Sequence, residues 1–558
     1  MPHGNAFGLV KVMCDCPEPC GIGWVVWYVV FDGWRFMSQD SGGATSMVSA
    51  CPNVVVILAD DHRAEVMGCA GHSIVQTPHI DQLACEGVRF DHAFCTSPLC
   101  TPSRVSWLLG QWERRHGVNF GSGTAVSPAA WADSFPAKLR DAGYFTGYVG
   151  KNHCPVGEGG YAGGFMEDAF DFWYASHGHL GFYPKERHPI FACATSDTQA
   201  EIIAEGVDQF LGSRVDLTAF GAKMAGLSAW TGDCPFALLV NFNMPHRNGT
   251  STMAMRPGDD EVYRTAYRGN MDAIPLPRTY VAFDDEAMRP KIPRAVYSRM
   301  QISSYDYSHT PAKYREHYVR YMQCITGVDR VVGRIVETLS RLGVLDNTIV
   351  IYSGDHGIQA GEHGLGGKAL LYEESVRVPL VVRWPGLDVS RRGAVCSELV
   401  AVPDAAPTIL TACGVKPPAS MQGSDLGPLM RGEDASWRDG VVMENLMTIQ
   451  DYPRSEGIRT QRWKYIRYFK RDVDGRTVSP DVQRWYTAQE DYHATVDRSL
   501  AGEDAVYEEL FDLSVDADEV HNLAGEARCA SILTECRQRC TAELRTLRGR
   551  GRRRVVSD

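Results

Sequence analysis

At 558 residues the chain is long enough to bury large cores, with room for one big domain and a smaller one beside it. Its composition, 44% hydrophobic and 22% charged, is that of an ordinary globular protein, and a formal charge of −12 argues against nucleic acid as a partner. The 17 cysteines are scattered without a tight framework, read as small buried residues, and point to a reducing compartment.

Residues 1–50 read as an extension outside the fold. Within it Ile22 to Phe31 is apolar but too short to span a membrane. The segment before it holds Asp15 and Glu18 instead of the basic run of a signal peptide. A cytoplasmic location is therefore the expectation, with export left open.

Four apolar runs then share one grammar. Val54 to Ala59 is followed by Asp60-Asp61, Tyr144 to Val149 by Gly150-Lys151-Asn152-His153, Phe236 to Phe242 by Asn243, Pro245 and His246, and Thr348 to Tyr352 by Gly354-Asp355-His356. Each run is short, β-branched or aromatic, and lacks strict alternation, as expected of strands buried on both faces of a mostly parallel sheet. In such sheets ligands sit beyond the carboxyl ends of the strands, so four polar clusters fall on one rim. Between the strands, Tyr318, Met322, Ile325, Val328, Val332, Ile335 and Leu339 recur at helical spacing. Phe135, Leu139 and Ala142 predict a shorter helix ended by Gly143. The result is α/β architecture: a large mostly parallel sheet sandwiched by helices.

Residues 247–300 show no period and read as either a substrate loop or a structural excursion. Beyond Pro428, short apolar runs at Val441, Ile458, Trp463 and Leu510, and a closing helix near 529–547, predict a smaller antiparallel α+β subdomain. The expected boundaries are an extension over 1–50, a catalytic domain over 51–428, a C-terminal subdomain over 429–547 and a basic tail over 548–558.

The segment Cys100-Thr101-Pro102-Ser103-Arg104 carries the sharpest signal. Its plainest reading is a loop cysteine before a proline at a helix start. It also fits C-x-P-S-R, the pattern that marks a cysteine for oxidation to formylglycine in the type I sulfatases. The ordered blocks N-V-V-V-I-L-A-D-D (53–61), C-T-P-S-R (100–104), G-K-N-H (150–153), M-P-H (244–246), S-G-D-H-G (353–357) and K-x-x-x-Y-E-E-S-x-R-V-P (368–379) resemble that family over about residues 52–530.

The resemblance implies an alkaline-phosphatase-like fold. It implies that Asp60, Asp61, Asp355 and His356, together with the converted Cys100, hold one divalent cation, calcium first and magnesium as the alternative. The carboxylates are hard donors suited to either ion; His356, where many members have Asn, brings a nitrogen. It further implies that Arg104 orients the formylglycine and that Lys151 and Lys368 supply positive charge to the sulfuryl oxygens. His153 would deprotonate a hydroxyl, and His246 with Lys368 would serve the leaving oxygen. The partners implied are a small sulfated substrate, a saccharide by preference, and a formylglycine-generating maturation enzyme.

Two departures stand out: Leu108-Leu109-Gly110-Gln111 where members continue Leu-Thr-Gly-Arg, and Asn152 where many have Trp. The aromatic stretch Phe170 to Tyr174 with His177 and His179 reads either as a loop packed on the core or as a wall for a sugar ring. His62, His72, His92 and His116 have no evident role, and Glu373 and Glu374 read as structural ion-pair partners near Arg377. Two other functions stay open: a phosphonate monoester or phosphodiester hydrolase using the same nucleophile, and a non-catalytic anion-binding protein in which Cys100 stays a thiol.

Overall fold

The computed structural model describes residues 51–549 apart from internal stretches, the longest being 213–228, 247–259, 283–292 and 472–495. The extension over 1–50, the tail from 550, His179 and much of the aperiodic 247–300 segment lie outside the described residues.

Eight strands form the main sheet: β1 (Asn53–Ala59), β2 (Val88–Phe90), β3 (Phe145–Asn152), β4 (Phe172–His177), β5 (Phe236–Asn241), β6 (Thr348–Gly354), β7 (Leu380–Arg383) and β8 (Ala394–Cys396). Their order is β8-β2-β7-β6-β1-β5-β3-β4, and only β7 runs against the rest.

The missing alternation has a direct cause. Val55, Ile57 and Ala59 pack among helices α1 (Pro78–Glu86), α4 (Gln199–Phe210) and α5 (Pro311–Arg341). Val56 and Leu58 point the other way, toward Trp107 and Leu108 of α2 (Cys100–Leu109) and Phe135 of α3 (Phe135–Asp141). With both sides covered, every position of β1 after Asn53 is apolar. The stretch Phe170 to Tyr174 with His177, expected as a loop packed on the core or as a sugar wall, runs mostly within the edge strand β4. Phe172, Trp173 and Tyr174 are all buried, because this edge is capped by packed aromatic rings.

The C-terminal sheet is antiparallel: β9 (Gly440–Asn445), β10 (Ser455–Thr460), β11 (Trp463–Tyr468) and β12 (Tyr507–Asp512), in that order. Helix α6 (Ala530–Arg548) lays Leu533, Cys536, Cys540 and Leu544, spaced three and four apart, on Val442, Ile458, Tyr465 and Leu510. Lys464, fully buried, is paired with Glu373 at 3.0 Å and Glu519 at 2.8 Å, so Glu373 reaches across to β11. Among the described residues no helix is long and apolar enough to cross a membrane, and the described cysteines are free thiols, most of them buried.

Candidate active site

Register brings the strand ends together. Ala59 lies beside Gly354, Leu58 beside Asn241, and Gly150 beside Asn241. Parallel pairing therefore releases Asp60, Asp355, Lys151 and the turn carrying His246 at one level of the rim. Backbone bonds tie the exits: Asp60 N–H donates to the Met244 carbonyl at 2.9 Å, and Asp355 N–H to the Ala59 carbonyl at 3.0 Å.

Cys100 is the first residue of α2 and is fully buried. Pro102 sits in the first turn, where its missing N–H costs nothing. Arg104, one turn on, is clamped: its Nε donates to Asp355 Oδ2 at 2.8 Å, its Nη1 to Asn241 Oδ1 at 3.0 Å, and its Nη2 to the Phe242 carbonyl at 3.2 Å. Ser103 Oγ donates to the Asp355 carbonyl. The helix that carries Cys100 is thus pinned to the ends of β5 and β6.

Around the Cys100 sulfur lie Lys368 Nζ at 3.0 Å, His356 Nε2 at 3.3 Å and Asp60 Oδ1 at 3.5 Å. Lys368 also donates to Asp61 Oδ1 at 2.8 Å, and Lys151 donates to Asp60 Oδ2. His246 Nε2 is 3.9 Å from Asp61 Oδ2. His153 follows Lys151 out of β3 and is buried edge-on to Phe120, ring centroids 4.9 Å apart. Asn152, which stands where Trp is common, turns toward His177 at 2.8 Å and accepts the Cys154 N–H.

Asp60, Cys100, Asp355 and His356 offer donor atoms within 4.8 Å of one another, and Asp60, Asp61 and His246 form a second such group. This oxygen-rich set with one or two imidazoles fits a divalent cation. Three buried carboxylates (Asp60, Asp61, Asp355) face three buried cations (Arg104, Lys151, Lys368), so the charges balance before any ligand arrives. A cation and an oxyanion can then enter as a neutralising pair.

The protonation states follow. Burial would raise the Asp60 carboxyl, but Lys151 first, then Lys368, His246 and Arg104, hold it well below the usual carboxylate range. Asp61 is raised, by burial and by its neighbour Asp60, against the pull of Lys368. Burial lowers the His356 imidazole and so keeps it neutral, as a ligand must be. The Cys100 thiol is pushed up to about 12, by burial first and by Asp60 second. At neutral pH it stays protonated, and as a thiol it is neither a good nucleophile nor a good ligand.

Asn241 had no sequence signal: it is the last residue of an apolar strand, and only the fold turns it toward Arg104. Tyr305 is another. It lies between the aperiodic 247–300 stretch and α5, yet its ring covers Gly366 and Gly367 just before Lys368, so closely that a Cβ at either glycine would come within 2.5 Å of Tyr305. Of the histidines without evident role, His62 bonds Tyr352 Oη and the Val66 carbonyl, and His116 bonds Ser106 Oγ and the Val118 N–H.

Residues 52–415 match the Sulfatase family, and residues 361–478 match the C-terminal family of N-sulphoglucosamine sulphohydrolase. An N-acetylglucosamine-6-O-sulfatase of Bacteroides thetaiotaomicron is 26% identical over 87% of this chain and 85% of its own length. An arylsulfatase of Clostridium perfringens is 25% identical over 71% and 81%. Among solved structures, one in complex with its substrate D-glucosamine-2-N,6-O-disulfate superposes with TM-score 0.61 at 22% identity, covering 90% of this chain and 99% of the other. A phosphonate monoester hydrolase of Agrobacterium radiobacter superposes with TM-score 0.64 at 20% identity, over 89% and 96%. At such identities these two likenesses speak to the fold.

Proposed function

The chain belongs to the sulfatase family of sulfuric ester hydrolases, and from that premise we propose that it hydrolyses a carbohydrate sulfate ester, with Cys100 converted to formylglycine and one calcium ion held by Asp60, Asp61, Asp355 and His356. The observation that carries the reading is the position of the Cys100 sulfur, 3.0 Å from Lys368 and 3.5 Å from Asp60 on a rim of balanced buried charge.

A formylglycine at residue 100 would supply a hydrated aldehyde with two hydroxyls, one as nucleophile toward sulfur and a second able to give up a proton, and a divalent cation held by the neighbouring carboxylates would supply Lewis acidity. The chain's own residues do the rest. Arg104, fixed on Asp355, Asn241 and Phe242, holds the start of α2 so that residue 100 points at the carboxylates. Lys151 and Lys368 sit where sulfuryl oxygens gather charge in the transition state. Both now rest on carboxylates that a cation would share, leaving their ammonium groups to the incoming oxyanion. His246, across from Asp61, is placed with Lys368 to protonate the leaving sugar oxygen, and His153 to accept the proton of the second hydroxyl. The preference for a sugar rests on the N-acetylglucosamine-6-O-sulfatase that matches most of the chain.

The test is a parallel assay of matured protein on glucosamine 6-sulfate, an aryl sulfate and an aryl phosphonate. The sugar sulfate is expected to show the highest kcat/KM. A phosphonate turned over faster than either sulfate would replace this reading with phosphonate monoester hydrolysis, the alternative the second fold neighbour keeps open. Binding of all three without turnover would leave an anion-binding protein.

A further inference from the structure

We propose that Tyr321, on helix α5, is the positioning residue that holds Asp61 in its cation-binding conformation and so sets the cation affinity of the site; this rests on the reading of Asp61 as a ligand given above. Asp61 has φ 60°, in the left-handed region, where most side chains crowd the backbone and Asp is among the few tolerated. A residue keeps such a conformation only where its surroundings fix it.

The Tyr321 hydroxyl does the fixing. It donates to the Asp61 carbonyl at 2.7 Å and accepts the Arg63 N–H at 2.9 Å. One oxygen therefore closes the Asp61-His62-Arg63 turn from both sides, as donor and as acceptor. The Asp61 N–H meanwhile donates to Asp355 Oδ1 at 3.3 Å, so the same turn sets the spacing of two carboxylates.

Tyr321 is itself immobilised. It is 2% exposed, and its ring lies in a ladder in which His317 stacks on Tyr307 at 3.8 Å and faces Tyr321 at 6.4 Å, with Tyr318 at 5.9 Å. Without the hydroxyl, a buried carbonyl and a buried N–H both lose their partner. The turn can then relax toward negative φ, carrying the Asp61 carboxylate away from Lys368 and His356. Tyr321 spends both of its bonds on the backbone of residues 61 and 63, so its effect on the site runs through the turn that carries Asp61.

Tyr321→Phe keeps the ring and removes that oxygen. Calorimetric titration of calcium into chelator-stripped protein is expected to show affinity about 10- to 100-fold weaker than wild type, the usual cost of losing a support behind a metal ligand. The calcium concentration for half-maximal activity rises with it, while kcat at saturating calcium returns toward wild type. Tyr352→Phe is the control: it removes another buried hydroxyl beside the same turn, one bonded to the His62 side chain at Nδ1 (2.7 Å) and not to the turn's backbone, and is expected to leave calcium affinity unchanged. Melting of both metal-free variants reads fold stability separately. Equal calcium affinity in Y321F and wild type overturns the inference, and so does an equal loss in Y352F, which would make the effect general destabilisation. Wild-type protein that binds no divalent cation would remove the premise of a cation site and this inference with it.

Discussion

Asp355→Asn separates the charge of Asp355 from its shape. Oδ1 of Asp355 accepts the N–H groups of Asp61 at 3.3 Å and His356 at 2.9 Å, while Oδ2 accepts Arg104 Nε at 2.8 Å. An amide cannot satisfy both sides. With its oxygen toward the two backbone N–H groups, its NH2 faces the Arg104 guanidinium; flipped, it faces the two N–H groups. Breaking one partner out of a buried ion pair costs about 3–5 kcal/mol. Arg104 keeps Asp60 Oδ2 at 3.4 Å, which places the loss at the lower end. A unit of roughly 500 residues unfolds with an entropy of about 1 kcal/mol/K, so metal-free D355N should melt about 3 °C below wild type. Calcium at a hundredfold excess over Kd adds about 2.7 kcal/mol to the wild type, again about 3 °C, and D355N should gain little of this. Thermal melts of both proteins with chelator and with calcium give the two differences. A variant that melts with wild type and rises equally with calcium would refute the role of Asp355 as both anchor of Arg104 and ligand.

Cys100→Ala should abolish turnover of sulfate esters while leaving the melting temperature within about 2 °C, because it trims one buried atom beside a pinned helix; measurable turnover would remove residue 100 from the chemistry. Lys151→Ala should lower kcat by about 10²- to 10³-fold, the scale of losing one fixed donor to transition-state charge, and a change confined to KM would contradict that role. Glu113 tests the buried charge around α2. Its carboxyl is pushed up to about 8, by burial first and by Glu444 second, from an ordinary value of 4.5. The folded state then holds this proton more tightly than the unfolded chain. Its contribution is fully present below pH 4.5 and is lost as pH rises through about 8. Glu113→Gln should therefore match wild type near pH 4 and melt above it at pH 9, and parallel melting curves across that range would count against the assignment.

The sheet is legible because its strands are covered on both faces, which makes most of β1, β3, β5 and β6 apolar, with polar clusters at their ends. The rim follows from topology alone: parallel strands release their carboxyl ends together, which sets Asp60, Lys151, His246 and Asp355 side by side. What stayed hidden depends on tertiary partners. Tyr321 reads in the sequence as one more aromatic position on an amphipathic helix, and nothing local says that its oxygen meets the backbone of residues 61 and 63. The C-terminal sheet hides more. Glu444, Glu456, Lys464 and Arg467 are charged, so alternation assigns them to solvent. The fold buries them as pairs: Glu444 and Glu456 with Arg114, Arg467 with Glu456, and Lys464 with Glu373. The stretch Phe170 to Tyr174 shows the converse: aromatic residues interrupted by polar ones lack the signature of a buried strand, and the rings of neighbouring segments supply the burial.

Mass spectrometry of the peptide spanning residues 96–104, taken from protein shown to be active on a sulfate ester, tests the central claim most directly. Residue 100 should appear as the aldehyde, about 18 Da lighter than cysteine. Fully active protein in which Cys100 is an intact thiol would contradict the account.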